Sequence, residues 1–276
     1  MSWGYGSSRN AILSKDFNAI VTAMADDDDR TSELLDCFLT VLGPAVPLVA
    51  LWAHGSLVMG DYQPGRSDLD MIAVVDAELN RRQKDEVTRL HRRLIEEFPQ
   101  AKSLHCSYLV RSRLADTALR HVTFAHGQLF ERPVTPVARR ELLTGDRALY
   151  GPSPAELLPP VGDEELKAFV RADLAGYWRP ATDRRKSTNW LRDVWVDLGP
   201  VTLARAAVTL RDGQLITKGA ALEVLAELGA PEQMIADIRA RRYGPERPVS
   251  WGWRLRRARL ARRFVRAGID RTLAGA

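Results

Sequence analysis

Residues 52–76 read WAHGSLVMGDYQPGRSDLDMIAVVD, and this stretch decides the fold. The apolar run that enters it, VPLVALWAHGS, reads as a buried strand running into a turn at Gly55. Residues 57–67 then form a connection carrying Gly60, Pro64 and Gly65, and Asp68-Leu69-Asp70 opens a second apolar strand, LDMIAVVD. Gly55 has no side chain, so a polyphosphate can approach its backbone closely. Ser56 offers an N–H and a hydroxyl to phosphate oxygens. Asp68 and Asp70 stand two apart on a strand and share a face, while Leu69 points to the other. Two converging carboxylates repel unless a cation lies between them, and magnesium favours one or two carboxylates plus substrate phosphates. The pattern predicts metal-assisted phosphoryl or nucleotidyl transfer at the end of an α/β sheet.

Working outward, residues 31–42 have helical spacing, with Leu34, Leu35, Phe38 and Leu42 on one face, Thr31 as N-cap, and Pro44 and Pro47 as interruptions. Residues 78–98 form an amphipathic helix through Leu79, Val87, Leu90, Leu94 and Ile95. Residues 104–110, LHCSYLV, are a third strand. Beyond about residue 140 the segments read as helices, introduced by Pro152, Pro154, Pro159 and Pro160. We therefore expect an N-terminal segment (1–30) ending in the acidic run Asp26–Asp29, then an α/β domain with a small mixed sheet and flanking helices (31–150). A C-terminal helical bundle domain (151–245) and an Arg-rich tail (246–276) follow.

Composition bounds the classes available. The 276 residues, 45% hydrophobic and 27% charged, suffice for one large core or two small ones. No run is long and apolar enough for a membrane span, and the first residues lack a basic segment followed by an apolar one, so no secretory signal is expected. Cys37 and Cys106 do not make a disulfide framework, which fits a reducing cytoplasm. The net charge of +5 hides an asymmetry: residues 239–276 hold twelve Arg against Glu246 and Asp270, a charge of +10, leaving −5 for residues 1–238. Trp251 and Trp253 lead into this basic helix, which suits either nucleic acid or an anionic membrane surface. A solvated helix packing its few apolar residues on the body is the commoner outcome, so no nucleic-acid partner is expected.

The Gly-Ser, spacer, Asp-x-Asp pattern resembles the signature of the DNA polymerase beta-type nucleotidyltransferase superfamily. Within it, LYGPSPAELLPPV (149–161), VTLARAAVTL (201–210) and GQLITK (213–218) are similar to the aminoglycoside adenylyltransferases that modify streptomycin and spectinomycin. The resemblance covers roughly residues 45–245. It implies Mg-dependent transfer of AMP from ATP to a hydroxyl of a small cationic acceptor such as an aminoglycoside, and hence antibiotic resistance. It implies that Gly55, Ser56 and Ser67 bind ATP phosphates, that Asp68 and Asp70 ligate magnesium, and that Arg205 and Lys218 reach into the cleft from the helical domain.

The sequence departs from that family at two places. The third carboxylate, a Glu acting as base on the strand after the Asp-x-Asp helix, is matched by His105. A neutral imidazole can accept a proton but suits magnesium less than oxygen does. Glu131 and Asp116 are the other candidate bases. The acidic acceptor-binding residue before Arg205 is matched by Trp195, with Asp193 and Asp197 flanking it. His54, beside Gly55, either touches phosphate or packs. His121 and His126 lack partners at zinc-ligand spacing. Two other readings stand beside the first: a nucleotidyltransferase with a protein or RNA acceptor, and a catalytically degenerate nucleotide-binding or sensor protein.

Overall fold

The computed structural model describes residues 29–245 and 248–275. The expected N-terminal segment and all but the end of the Asp26–Asp29 run lie outside them. A first helix, α1 (29–45), buries Leu34, Leu35, Phe38 and Leu42 as its spacing predicts. It begins before Thr31, so Thr31 is not its N-cap; the Thr31 hydroxyl instead lies 3.4 Å from that of Tyr62. Pro44 falls in the last helical turn and does not interrupt it.

The strands are β1 (Leu48–His54), β2 (Leu69–Val75), β3 (Leu104–Val110), β4 (Arg120–Ala125), β5 (Gln128–Pro133) and β6 (Ala148–Tyr150). They form one mixed sheet in the order β5-β4-β3-β2-β1-β6. β1 runs antiparallel to β2, and β2 parallel to β3, the two parallel strands being joined through α2 (Arg81–Glu97). Asn80 and Gln83 cap α2 reciprocally. β2 and β3 are buried along almost their whole length because both faces are covered. On one face Leu51, Met71, Ala73 and Cys106 pack with Phe38, Leu90 and Leu94 of α1 and α2. On the other, Trp52, Ile72, Val74 and Leu109 pack with Leu142 of α3 (Pro136–Gly145).

The β4–β5 hairpin was not anticipated from sequence. Its turn uses His126 and Gly127, both at positive φ (53° and 78°), the backbone a two-residue hairpin connection demands.

Beyond β6 come the short α4 (Pro154–Leu157), α5 (Asp163–Asp173), a π-helical turn at Leu174–Trp178 and α6 (Arg179–Ala181). A 3-10 segment at Arg184–Leu191 precedes α7 (Asp193–Asp212), α8 (Lys218–Glu227), α9 (Glu232–Tyr243) and α10 (Trp251–Ala274). Their core joins Trp190, Val196, Leu203, Leu222 and Ile238 to Ala261, Val265 and Ile269 of α10. The Arg-rich segment thus contributes an apolar face to the helical core. Helix approach is close: a Cβ on Gly268 of α10 would lie 2.2 Å from Leu203 Cδ2 of α7. Among the described residues no helix is long and apolar enough to cross a membrane, and Cys37 and Cys106 are free thiols.

His91 of α2 is buried against the sheet, with Nε2 2.9 Å from the Tyr108 hydroxyl and its ring stacked on Phe124 at 4.0 Å. Burial, with a smaller contribution from the charge of His105, lowers its pKa from 6.5 to about 3. The unfolded chain therefore binds a proton that the folded chain refuses once pH falls below 6.5. His91 favours folding fully above 6.5, and that contribution declines as pH drops towards about 3. Urea unfolding across this window will show stability falling with pH, and His91→Gln will flatten the slope by about one proton.

Candidate active site

The site grows from strand register. The end of β1 pairs with the start of β2, setting His54 opposite Asp70, and the parallel pairing of β2 with β3 sets Asp70 opposite His105. Asp70 therefore lies in a cross-strand row between two imidazoles. The chain leaves β1 through Gly55, at φ +69°, and turns through the 3-10 segment Gly55–Leu57. A Cβ at Gly55 would lie 2.9 Å from Asp70 Oδ2, so glycine gives this carboxylate its room.

Asp68 and Asp70 share a face, with side chains 52% and 27% exposed. His105 is buried beneath them: Nε2 is 3.9 Å from Asp68 Oδ1 and Nδ1 is 3.6 Å from Asp70 Oδ1. Burial raises the Asp70 carboxyl, but interaction with His105 and the nearby charges of His54 and Arg132 outweigh it and leave its pKa below the ordinary value. Asp70 is thus held ionised. His126, at the hairpin turn, sets its ring edge-on to His105 with centroids 4.7 Å apart.

A cleft of about 210 Å³ opens over these residues. Gly55, Ser56, Asp68 and Asp70 line one side, and Arg205, Thr217 and Lys218 line the other. Arg205 comes from the middle of α7, and Lys218 opens α8 just after its N-cap Thr217. Lys218 makes no ion pair with a described carboxylate. Burial, then the charge of Arg242, push its pKa down, against the pull of Asp68 and Asp70. A polyanion entering here would relieve that cationic crowding. Ser67 is buried, and its hydroxyl accepts from the Gln63 N–H at 3.0 Å, so it braces the 57–67 connection.

Two cleft residues escaped the sequence reading. Glu141 of α3 accepts from Arg205 Nη2 at 2.8 Å and lies 3.6 Å from His54 Nδ1. Burial raises its carboxyl, yet His54 and Arg205 hold it below the ordinary range. Asp61 ties the connection to the helices: it accepts from the Gly219 N–H at the start of α8 (2.9 Å) and the Tyr243 hydroxyl (2.9 Å), and pairs with Arg242 (2.7 Å). Neither has a sequence signal beyond being one more acidic residue in a loop or a helix.

Other expected residues lie elsewhere. Glu131 is on the exposed face of the edge strand β5, and Asp116 pairs with Arg113; neither lines the cleft, and His105 reaches it only from beneath, through Asp68 and Asp70, without being part of its lining. Asp193 pairs with Arg257, and Asp197 with Arg241 at 2.6 Å. Trp195 packs among Tyr177, Trp178 and Trp190. These three α7 residues are not in the lining of the cleft.

The donor set suits magnesium. Asp68 and Asp70 supply hard oxygens, Gly55 leaves Asp70 Oδ2 uncovered, and Arg205 and Lys218 stand opposite. No group of three or more His, Cys, Asp or Glu arranged for a metal occurs among the described residues. Magnesium, which commonly takes one or two carboxylates and completes its shell with phosphates and water, does not require one.

No protein-family model matches the sequence, and no curated protein matches it. Among solved structures, the spectinomycin adenyltransferase AAD(9) from Enterococcus faecialis, determined with ATP and spectinomycin, superposes with a TM-score of 0.66. The match covers 87% of this chain and 99% of that one, at 16% sequence identity. The chain shares the fold of that structure. At that identity the likeness carries the architecture: a mixed sheet with flanking helices, followed by a helical region.

Gly55→Ala forces both a disfavoured positive φ and a collision with Asp70, at a cost of about 1–3 kcal/mol. Chemical denaturation of Gly55→Ala beside the parent chain will register this destabilisation.

Proposed function

We propose that this protein transfers AMP from ATP to a hydroxyl of a small cationic acceptor, of which an aminoglycoside is the leading class. The observation that carries the reading is the two-sided cleft, with Gly55, Ser56 and the Asp68/Asp70 pair facing Arg205 and Lys218. That is a site with carboxylates for a cation on one wall and cations for a triphosphate on the other. The adenyltransferase fold, seen in a neighbour solved with ATP and spectinomycin, supports the same reading.

The chain's own groups have defined parts. The Gly55-Ser56 turn receives phosphate oxygens, and Arg205 and Lys218 neutralise the triphosphate and the pyrophosphate that leaves. Asp68 and Asp70 hold magnesium, which when bound offsets phosphate charge and favours attack at the α-phosphorus. The acceptor hydroxyl oxygen forms the new bond to that phosphorus, and the bond to the pyrophosphate oxygen breaks. His105, against both carboxylates, takes the hydroxyl proton in place of a third carboxylate. Glu141 positions Arg205 and gives way to phosphate when nucleotide enters.

The test is pyrophosphate release from Mg-ATP with a panel of aminoglycosides including streptomycin and spectinomycin. Release that depends on one drug and is abolished in Asp70→Asn is the expected result. His105→Ala will then lower kcat by about 100-fold or more, with His105→Glu restoring part of it. Tight Mg-ATP binding with no release for any acceptor would replace this reading with that of a non-catalytic nucleotide-binding protein.

A further inference from the structure

A cavity larger than the cleft lies elsewhere among the helices. It is a groove of about 990 Å³ between the 3-10 segment Arg184–Leu191 and α10. Five arginines line it, Arg184, Arg259, Arg262, Arg263 and Arg266, against two carboxylates. Both carboxylates are already engaged, Asp183 with Arg266 (2.8 Å) and Asp270 with Arg179 (2.7 Å), and Arg262 donates to the Thr182 carbonyl at 2.6 Å. Arg184, Arg259 and Arg263 make no ion pair with any described carboxylate, and Arg259 and Arg263 are exposed. Their 1.5 Å rise per residue sets these last two about 6 Å apart along the helix axis.

A second observation lies on the same helix face. Trp251 and Leu255 precede Arg259 at intervals of four, which places them in one row with it. Trp251 is 70% exposed and Leu255 44%, and the Arg254 guanidinium sits 5.6 Å from the Trp251 ring. An open indole at the end of a row of unpaired arginines combines a stacking platform with a backbone-tracking groove. The apolar face of α10, Ala258, Ala261, Val265 and Ile269, is buried in the helical core, so it is not free to enter a bilayer. The arginines also line a concavity, which a flexible chain can enter and a flat lipid surface cannot.

We propose that this groove binds single-stranded nucleic acid, with phosphates on Arg259 and Arg263 and a base stacked on Trp251. The site is separate from the nucleotide cleft and does not depend on the reaction assigned there.

The test is fluorescence anisotropy of the full chain with a labelled single-stranded oligonucleotide of roughly 15 nucleotides, across a salt series. Binding is expected to weaken steeply with salt. Replacing both arginines (Arg259→Gln, Arg263→Gln) should lower the log–log salt slope by about 1.4, the share of two phosphate contacts. Trp251→Ala should weaken binding by about fivefold or more with the slope unchanged. All three positions are exposed or face the groove, and thermal unfolding of each variant verifies that the helical core is intact. The proposal is overturned by absence of binding at low salt, by an affinity indifferent to the double substitution, or by inorganic triphosphate competing as well as unlabelled oligonucleotide. Binding to anionic phosphatidylserine vesicles without binding to oligonucleotide overturns it in favour of a membrane surface.

Discussion

The pairing of the last residue of β1 with the second residue of β2 is the constraint on which the site depends. It brings the turn at Gly55 against the side chain of Asp70 and sets His54 on one flank of that carboxylate. The parallel partner β3 sets His105 on the other. A slip of one residue in either pairing would turn Asp70 to the opposite face of the sheet and bring Leu69 into the cleft. Register is held by burial on both faces: Met71 and Ala73 belong to one core, Ile72 and Val74 to the other. The apolar strand that looks like plain packing is therefore what aims the carboxylates.

The second wall of the cleft is carried by helices far away in sequence, and two carboxylates outside the Asp68/Asp70 pair bind it to the first. Asp61 accepts from the exposed N–H end of α8, where the helix dipole favours negative charge, and also pairs with Arg242. Glu141 engages Arg205 from the opposite side. Arg205 is further fixed by donating through Nε to the Ile216 carbonyl at 2.8 Å, the residue before the cap of α8. The cationic wall is thus tied to the sheet by contacts at both ends, and each is a charge-assisted hydrogen bond that loosening would leave partly desolvated.

The sequence was most informative where a local pattern maps onto one element. The period of Leu34, Leu35, Phe38 and Leu42 marks the buried face of α1, and the Asp-x-Asp spacing gives the shared face at the start of β2. The β4–β5 hairpin escaped because its turn is His-Gly, not one of the stronger Asn-Gly or Asp-Gly signals, and because β4 ends in three consecutive buried residues, Thr123, Phe124 and Ala125, with no alternation to mark it. Glu141 and Asp61 escaped for a different reason. Each acts through a partner 64 or 158 residues away, and nothing in the local spacing records such a contact. Arg205 and Lys218 were reached only by likeness to a family, since an arginine within a helix and a lysine at a helix start are ordinary surface features.

The carboxylates of α7 bear on which acceptor the cleft can take. A cationic acceptor needs negative charge that is not already spent. Asp197 receives three hydrogen bonds from Arg241, which also holds Asp237. Asp193 is paired with Arg257, itself only 2% exposed. To reach either carboxylate, an acceptor cation would have to displace an arginine, and displacing buried Arg257 from Asp193 would leave it only the longer contact to Asp237 at 3.8 Å. Asp68, by contrast, is half exposed at the mouth of the cleft. The negative charge of α7 is thus already engaged by arginines, and Trp195, packed among Tyr177, Trp178 and Trp190, lies outside the lining of the cleft, so the free negative charge of the cleft is that of Asp68 and Asp70.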